Sequence, residues 1–129
     1  MADLQYFGED EAEAIVVLQR NTDAPDADYF DHAFMAMMLL EQDRNDAARV
    51  HIAAALAHDP DAQYPVYDTA LIEVSEGSYG TAETLFLEAL SGGLPRRHIR
   101  NFIGAMTESG ALDRAIAFRH KANQVSAAD

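Results

Sequence analysis

The sequence has no cysteine among its 129 residues. Neither a disulfide nor a thiolate metal site can form, and a cytoplasmic setting is expected. It also lacks any long hydrophobic run. The longest apolar stretches, such as 33–40, fall well short of the roughly 18 residues that a membrane-spanning helix needs. The start, MADLQYFGEDE, is acidic and has no basic segment leading into an apolar core, so no secretory signal is expected there. Apolar residues make up 49% and charged residues 24%, which suits a chain that folds around a core, and the length suits one domain.

Positive charge is scarce and unevenly placed. Eight arginines and one lysine stand against 22 carboxylates, for a net charge of −13. Residues 1–90 hold 19 Asp/Glu against three Arg, a net −16, whereas residues 91–129 hold three against five Arg and one Lys, a net +3. Most of such a surface repels nucleic acid and anionic membranes, and neither is expected as a partner. Solubility or adaptation to salt is the plain alternative explanation of the acidity.

Chemical motifs are missing too. There is no HExxH, GxGxxG, GxxxxGK[ST] or GxSxG. The five histidines, His32, His51, His58, His98 and His120, fall on separate expected helices apart from His51 and His58. Those two share a face but lie about 10 Å apart along it, too far to share a metal. The Asp-rich loops lack the frame and closing glutamate of a calcium loop. No catalytic residue, cofactor or metal site is assigned, and the chain reads as a non-enzyme.

What is present is helical periodicity that repeats. In 76–94, EGSYGTAETLFLEALSGGL, the residues Tyr79, Ala82, Leu85, Phe86, Ala89 and Leu90 recur at three- and four-residue steps and share one helix face. Shifted back by 34, Ala82, Phe86, Ala89 and Leu90 fall on Ala48, Ile52, Ala55 and Leu56, with Pro60 twelve residues after Ala48. Shifted forward by 33, Gly77, Ala82 and Ala89 fall on Gly110, Ala115 and Ala122. This pattern resembles the second helix of a tetratricopeptide repeat. The resemblance implies an all-α, right-handed superhelix of stacked antiparallel hairpins, about seven helices in a single domain 1–129. It divides into a capping helix in 1–22, repeats at 28–60, 62–94 and 95–125, and a frayed tail at 126–129.

In chain order, helices are expected at 9–20, 29–41, 45–58, 64–75, from Gly77 to about Ser91, 96–109 and 112–125, with a loop at 21–28. The capping helix would pack through Ala14, Ile15, Val17 and Leu18. In the last repeat Arg119 stands where the family has a large apolar residue; either Phe118 takes over that packing or the last helix docks loosely.

The resemblance further implies a concave face, lined by the first helix of each hairpin, that binds a peptide or helix of another protein. The candidate groove residues are Phe30, Phe34 and Met37, then Tyr64, Tyr67 and Leu71, then Arg97, Arg100 and Asn101. Core packing is the plainer role for Phe34, Met37 and Leu71, while tyrosine suits a wet interface. Arg96, Arg97 and Arg100 open a helix against its dipole. They form either an anion seat, with main-chain N–H groups assisting, or ion pairs with Glu73, Glu76, Glu83 or Glu88. With Arg114, Arg119 and Lys121 they make up a basic patch. The expected partner is an apolar or amphipathic protein segment with an acidic end. Short acidic proteins of this build resemble bacterial secretion chaperones. The alternative function is a self-assembling scaffold in which the basic end of one copy meets the acidic half of the next.

Overall fold

The computed structural model describes residues 13, 15–17 and 19–125 of the chain. They form seven helices and no strand, so the fold is all-α with neighbouring helices packed in pairs. Helix α1 is described at residues 13, 15–17 and 19–23. The others are α2 (Tyr29–Glu41), α3 (Asn45–His58), α4 (Gln63–Ser75), α5 (Tyr79–Ser91), α6 (His98–Glu108) and α7 (Leu112–Asn123). The chain divides into two compact units, 1–60 and 61–129. Their boundary falls at Pro60, which closes the first 34-residue period.

The N-terminal helix departs from expectation at its end. It continues through 23 instead of stopping before Asn21. Thr22 Oγ1 donates to the Gln19 carbonyl and Gln19 Nε2 to Asp23 Oδ1, so polar side chains close the last turn. Pro25 disfavours helical backbone at the residue before it, and the helix ends one residue short of that. On α1, Val17 is exposed rather than buried and so is Val16; Ala14 and Leu18, the acidic 9–11 and the tail 126–129 lie outside the described residues.

In unit 1–60, α2 packs against α3. Asp28 caps α2, accepting from the Asp31 N–H while Asp31 accepts from the Asp28 N–H. The buried side is Met35, Ala36 and Leu39 on α2 with Ala48, Ile52 and Ala55 on α3. Small side chains on α3 let the helix axes approach closely. In unit 61–129, α4 pairs with α5 and α6 with α7, and α4 also meets α6. Its core is built on three phenylalanines. Phe86 and Phe102 stack with ring centres 4.3 Å apart, and Phe118 stands edge-on to both, at 6.1 and 5.4 Å. Phe118 therefore fills the place that Arg119 cannot, and Arg119 stays exposed. The repeating positions Ala48/Ala82/Ala115 and Ala55/Ala89/Ala122 are all fully buried.

The same turn closes each hairpin, and it repeats with the sequence period. After α4, Ser78 N–H donates to Glu73 O and Gly77 N–H to Val74 O; after α6, Ala111 donates to Met106 and Gly110 to Thr107. Gly77 and Gly110 have φ of 80° and 95°, the left-handed geometry of this helix ending. After α2 the bonds are Arg44 to Leu39 and Asp43 to Leu40, but the left-handed residue is Asp43, at φ 57°. A Cβ there costs free energy that glycine avoids. Asp43→Gly is expected to raise stability by about 0.5 to 1 kcal/mol. Urea unfolding followed by circular dichroism would check it, a lowered midpoint refuting the assignment.

Candidate functional site

The first candidate surface lies on α2. Phe30, Phe34 and Met37 recur at i, i+4 and i+7, one face of the helix, and are 66%, 54% and 42% exposed. Core packing, the plainer role for Phe34 and Met37, is not what is found. The opposite face, Met35, Ala36 and Leu39, takes the contact with α3, and a helix apolar nearly all round has one stripe left over. Tyr29 meets Phe30 edge-on at 5.3 Å, which steadies the first ring.

On α4 and α6 the expected groove residues separate into covered and open ones. Tyr67 is only 7% exposed, so its expected place in an open groove needs correction, while Leu71 is half-buried against the core, its plainer role. The Tyr67 ring lies 5.7 Å from Phe86 and 4.9 Å from His98. Burial pushes the Tyr67 hydroxyl up to about 12, with the nearby Asp68 adding to the rise and a hydrogen bond with the Asn101 side chain opposing it. Tyr64 remains 42% exposed. Its hydroxyl lies 3.4 Å from His98 Nε2. His98 is absent from the groove residues expected from sequence, although it stands 34 residues after Tyr64 and so occupies the equivalent place on the next first helix. Its Nδ1 is buried without a hydrogen-bond partner among the described residues. Burial first and the Arg97 charge second lower its pKa from the ordinary histidine value, which favours the neutral ring.

The arginines gather at a cavity of about 590 Å³ between α6 and α7, lined by Arg96, Arg97, Arg100, Asn101, Arg119 and Asn123. Arg96 is committed to structure. Its Nη1 donates to the Val125 carbonyl at 2.6 Å and its Nη2 to the Asn123 carbonyl at 3.1 Å, tying down the end of α7. Carboxylate pairing is not what is found for these arginines among the described residues. Among the described residues, Arg97, Arg100 and Arg119 make no ion pair. Two of the first N–H groups of α6 are already used: His98 N–H donates to Pro95 O and Ile99 N–H to Arg96 O. The side-chain donors that line the cavity are the guanidiniums of Arg97, Arg100 and Arg119 and the amides of Asn101 and Asn123.

The basic patch is not continuous. Arg114 and Lys121 border a separate hollow with Glu83 and Phe118, on the side of α7 nearly opposite Arg119 and Asn123. Arg114 Nε donates to Glu83 Oε2 at 2.6 Å, and this bond raises the Arg114 pKa further. The guanidinium also sits over the Tyr79 ring, 5.9 Å from its centre. Arg114 is thereby occupied.

Unit 1–60 brings histidines together that the sequence kept apart. The hairpin reverses near Asp43, so His32 on α2 comes level with the stretch of α3 between His51 and His58. Its ring centre is 5.5 Å from that of His51 and 5.7 Å from that of His58. The Nδ1 atoms of His32 and His51 are 3.2 Å apart, so one holds a proton that the other accepts. Burial, and then the neighbouring His32, lower the His51 pKa, against the pull of Asp23. No three His, Asp or Glu side chains among the described residues form a group able to hold a metal, and no described helix is long and apolar enough to cross a membrane. Comparison with known proteins finds no match to this chain among family models, curated proteins or solved structures.

Proposed function

We propose that the chain is a protein-interaction module of the tetratricopeptide kind, a small cytoplasmic adaptor or chaperone. In this reading it holds a peptide or amphipathic helix of a client protein. The observation that carries the reading is the exposed stripe Phe30, Phe34 and Met37 on α2. Helix-in-groove recognition uses apolar anchors at such spacings, and aromatic residues dominate the energetics of protein interfaces. Unit 61–129, taken by itself, offers a place for an acidic group at the cavity lined by Arg97, Arg100 and Arg119, which make no ion pair among the described residues.

The test is affinity capture followed by measured binding of the identified client segment. Phe30→Ala with Phe34→Ala is expected to weaken binding at least about tenfold, the effect of losing anchors worth more than 1 kcal/mol. Arg97→Glu with Arg100→Glu is expected to weaken it and to flatten its salt dependence. Equal binding by wild type and the phenylalanine variant would overturn the reading.

A second reading, head-to-tail assembly of the chain with itself, is favoured by one further observation. Leu112 and Ile116 are exposed on the same face of α7 as Arg119, beside the basic cavity of an otherwise acidic protein. Capture that returns only the chain itself would favour this alternative and make the arginines assembly contacts.

A further inference from the structure

The cavity between α6 and α7 has a charge that a single carboxylate does not match. Arg97 and Arg100 come from the start of α6 and Arg119 from the middle of α7, and all three line the same 590 Å³ space. Among the described residues none of the three is paired. Arg96 adds a fourth positive charge at the rim while its donors hold the carbonyls of Asn123 and Val125. Asn101 and Asn123 are the other polar lining groups, and no carboxylate of the described residues lines the cavity to offset this charge.

Such clustering is costly without a counter-charge, because like charges repel and their repulsion adds across three pairs. One carboxylate carries one negative charge, so it leaves two of the three guanidiniums uncompensated. The donors are mainly guanidiniums, beside the amides of Asn101 and Asn123. With the His98 and Ile99 amides used in the turn, recognition falls mainly to planar guanidinium forks, which suit groups offering several oxygens in a plane or tetrahedron. The rest of the molecule limits the size of the occupant. The chain as a whole carries a net charge of −13, which repels an extended polyanion, so a compact group fits better.

We infer that this cavity binds a compact, multiply charged oxyanion, with Arg97, Arg100 and Arg119 as its ligands and Arg96 as the residue that fixes its wall. A phosphoryl or pyrophosphoryl group and a run of adjacent carboxylates share that chemistry. The inference deepens the client-binding reading above, since it names what the acidic end must carry, but the site can be tested without any client.

The experiment is titration of the full chain, followed by ¹⁵N NMR shifts of the arginine Nε–H groups and of the amides of 97–101 and 119–123, together with calorimetry. Three probes are compared: pyrophosphate, a peptide with three consecutive glutamates, and acetate as the singly charged control. Saturable binding is expected at one site for pyrophosphate or for the glutamate peptide, at least about tenfold tighter than acetate. Whichever of the two is tighter identifies the source of the charge. Arg100→Gln with Arg119→Gln is expected to abolish it, and Arg114→Gln, whose side chain is held by Glu83, to leave it unchanged; matching melting curves verify that each variant is folded. Equal affinity for acetate, or equal loss in the Arg114 variant, would overturn the site. Absence of saturable anion binding by the wild-type chain, with client capture intact, refutes only this inference. Anion binding that persists while Phe30→Ala/Phe34→Ala leaves capture unchanged refutes only the client-binding reading.

Discussion

Replacing Phe86 by alanine is expected to unfold unit 61–129. Phe86 is fully buried and touches the rings of Phe102, Phe118 and Tyr67, which come from three different helices. Truncating a buried phenylalanine costs about 3 to 5 kcal/mol, from the lost transfer energy and the cavity left behind. A core of this size supplies only about 3 to 5 kcal/mol of net stability, so the substitution consumes all or nearly all of it. Far-ultraviolet circular dichroism should show lost helix at 25 °C, while Phe86→Leu should keep the fold with a lowered melting temperature. A Phe86→Ala protein melting within a degree or two of wild type would show that the ring cluster is not the core of the unit.

Asp68 carries the other large effect, and its sign runs opposite to most carboxylates. Burial pushes its carboxyl from 3.8 up to about 7 in the folded chain. The folded state thus holds a proton that the unfolded chain gives up, and stability falls as pH rises from about 4 to 7, with the full penalty present above 7. Each tenfold gain in proton affinity corresponds to about 1.4 kcal/mol, so the penalty at pH 8 is roughly 2 to 4 kcal/mol once partial exposure is allowed for. Asp68→Asn is expected to raise the urea midpoint at pH 8, to leave it nearly unchanged at pH 4, and to flatten the decline between. A variant that is no more stable than wild type at pH 8 would refute the assignment. Any function that needs the folded chain at neutral pH tolerates this penalty, and a mildly acidic medium relieves it.

The second helix of each hairpin is legible in the sequence because its pattern answers one physical demand. Two helices joined by a three-residue turn approach closely only over small side chains, so alanine stands at the same places in α3, α5 and α7, and a 34- or 33-residue shift displays it. The substitution of Phe118 for the expected position 119 is readable as one of two options, since a one-residue step still lands near the buried face. The first helices are less legible. In α2 nearly every position is apolar, so periodicity cannot tell which stripe meets α3 and which stays open, and Phe34 and Met37 lie on the outside. On α4 the reverse holds: Tyr67 looks suited to a wet surface, yet it closes over Phe86, and only Tyr64 keeps its exposure. The arginine cluster is visible as a run in 96–100, but the arrival of Arg119 from α7 and the diversion of Arg96 to main-chain carbonyls depend on a fold between them. Charge counts along a chain do not reveal which cations are already occupied.

The ring cluster also gives the molecule an optical asymmetry. Of the five described phenylalanines, Phe86, Phe102 and Phe118 are locked in chiral surroundings, whereas Phe30 and Phe34 are more than half exposed. With no tryptophan to overlay it, the phenylalanine fine structure of the near-ultraviolet dichroism comes, among the described residues, chiefly from unit 61–129. Tertiary order in that unit can be followed without a label during heating, ligand addition or synthesis, and the signal vanishes when the rings come apart even if the helices persist.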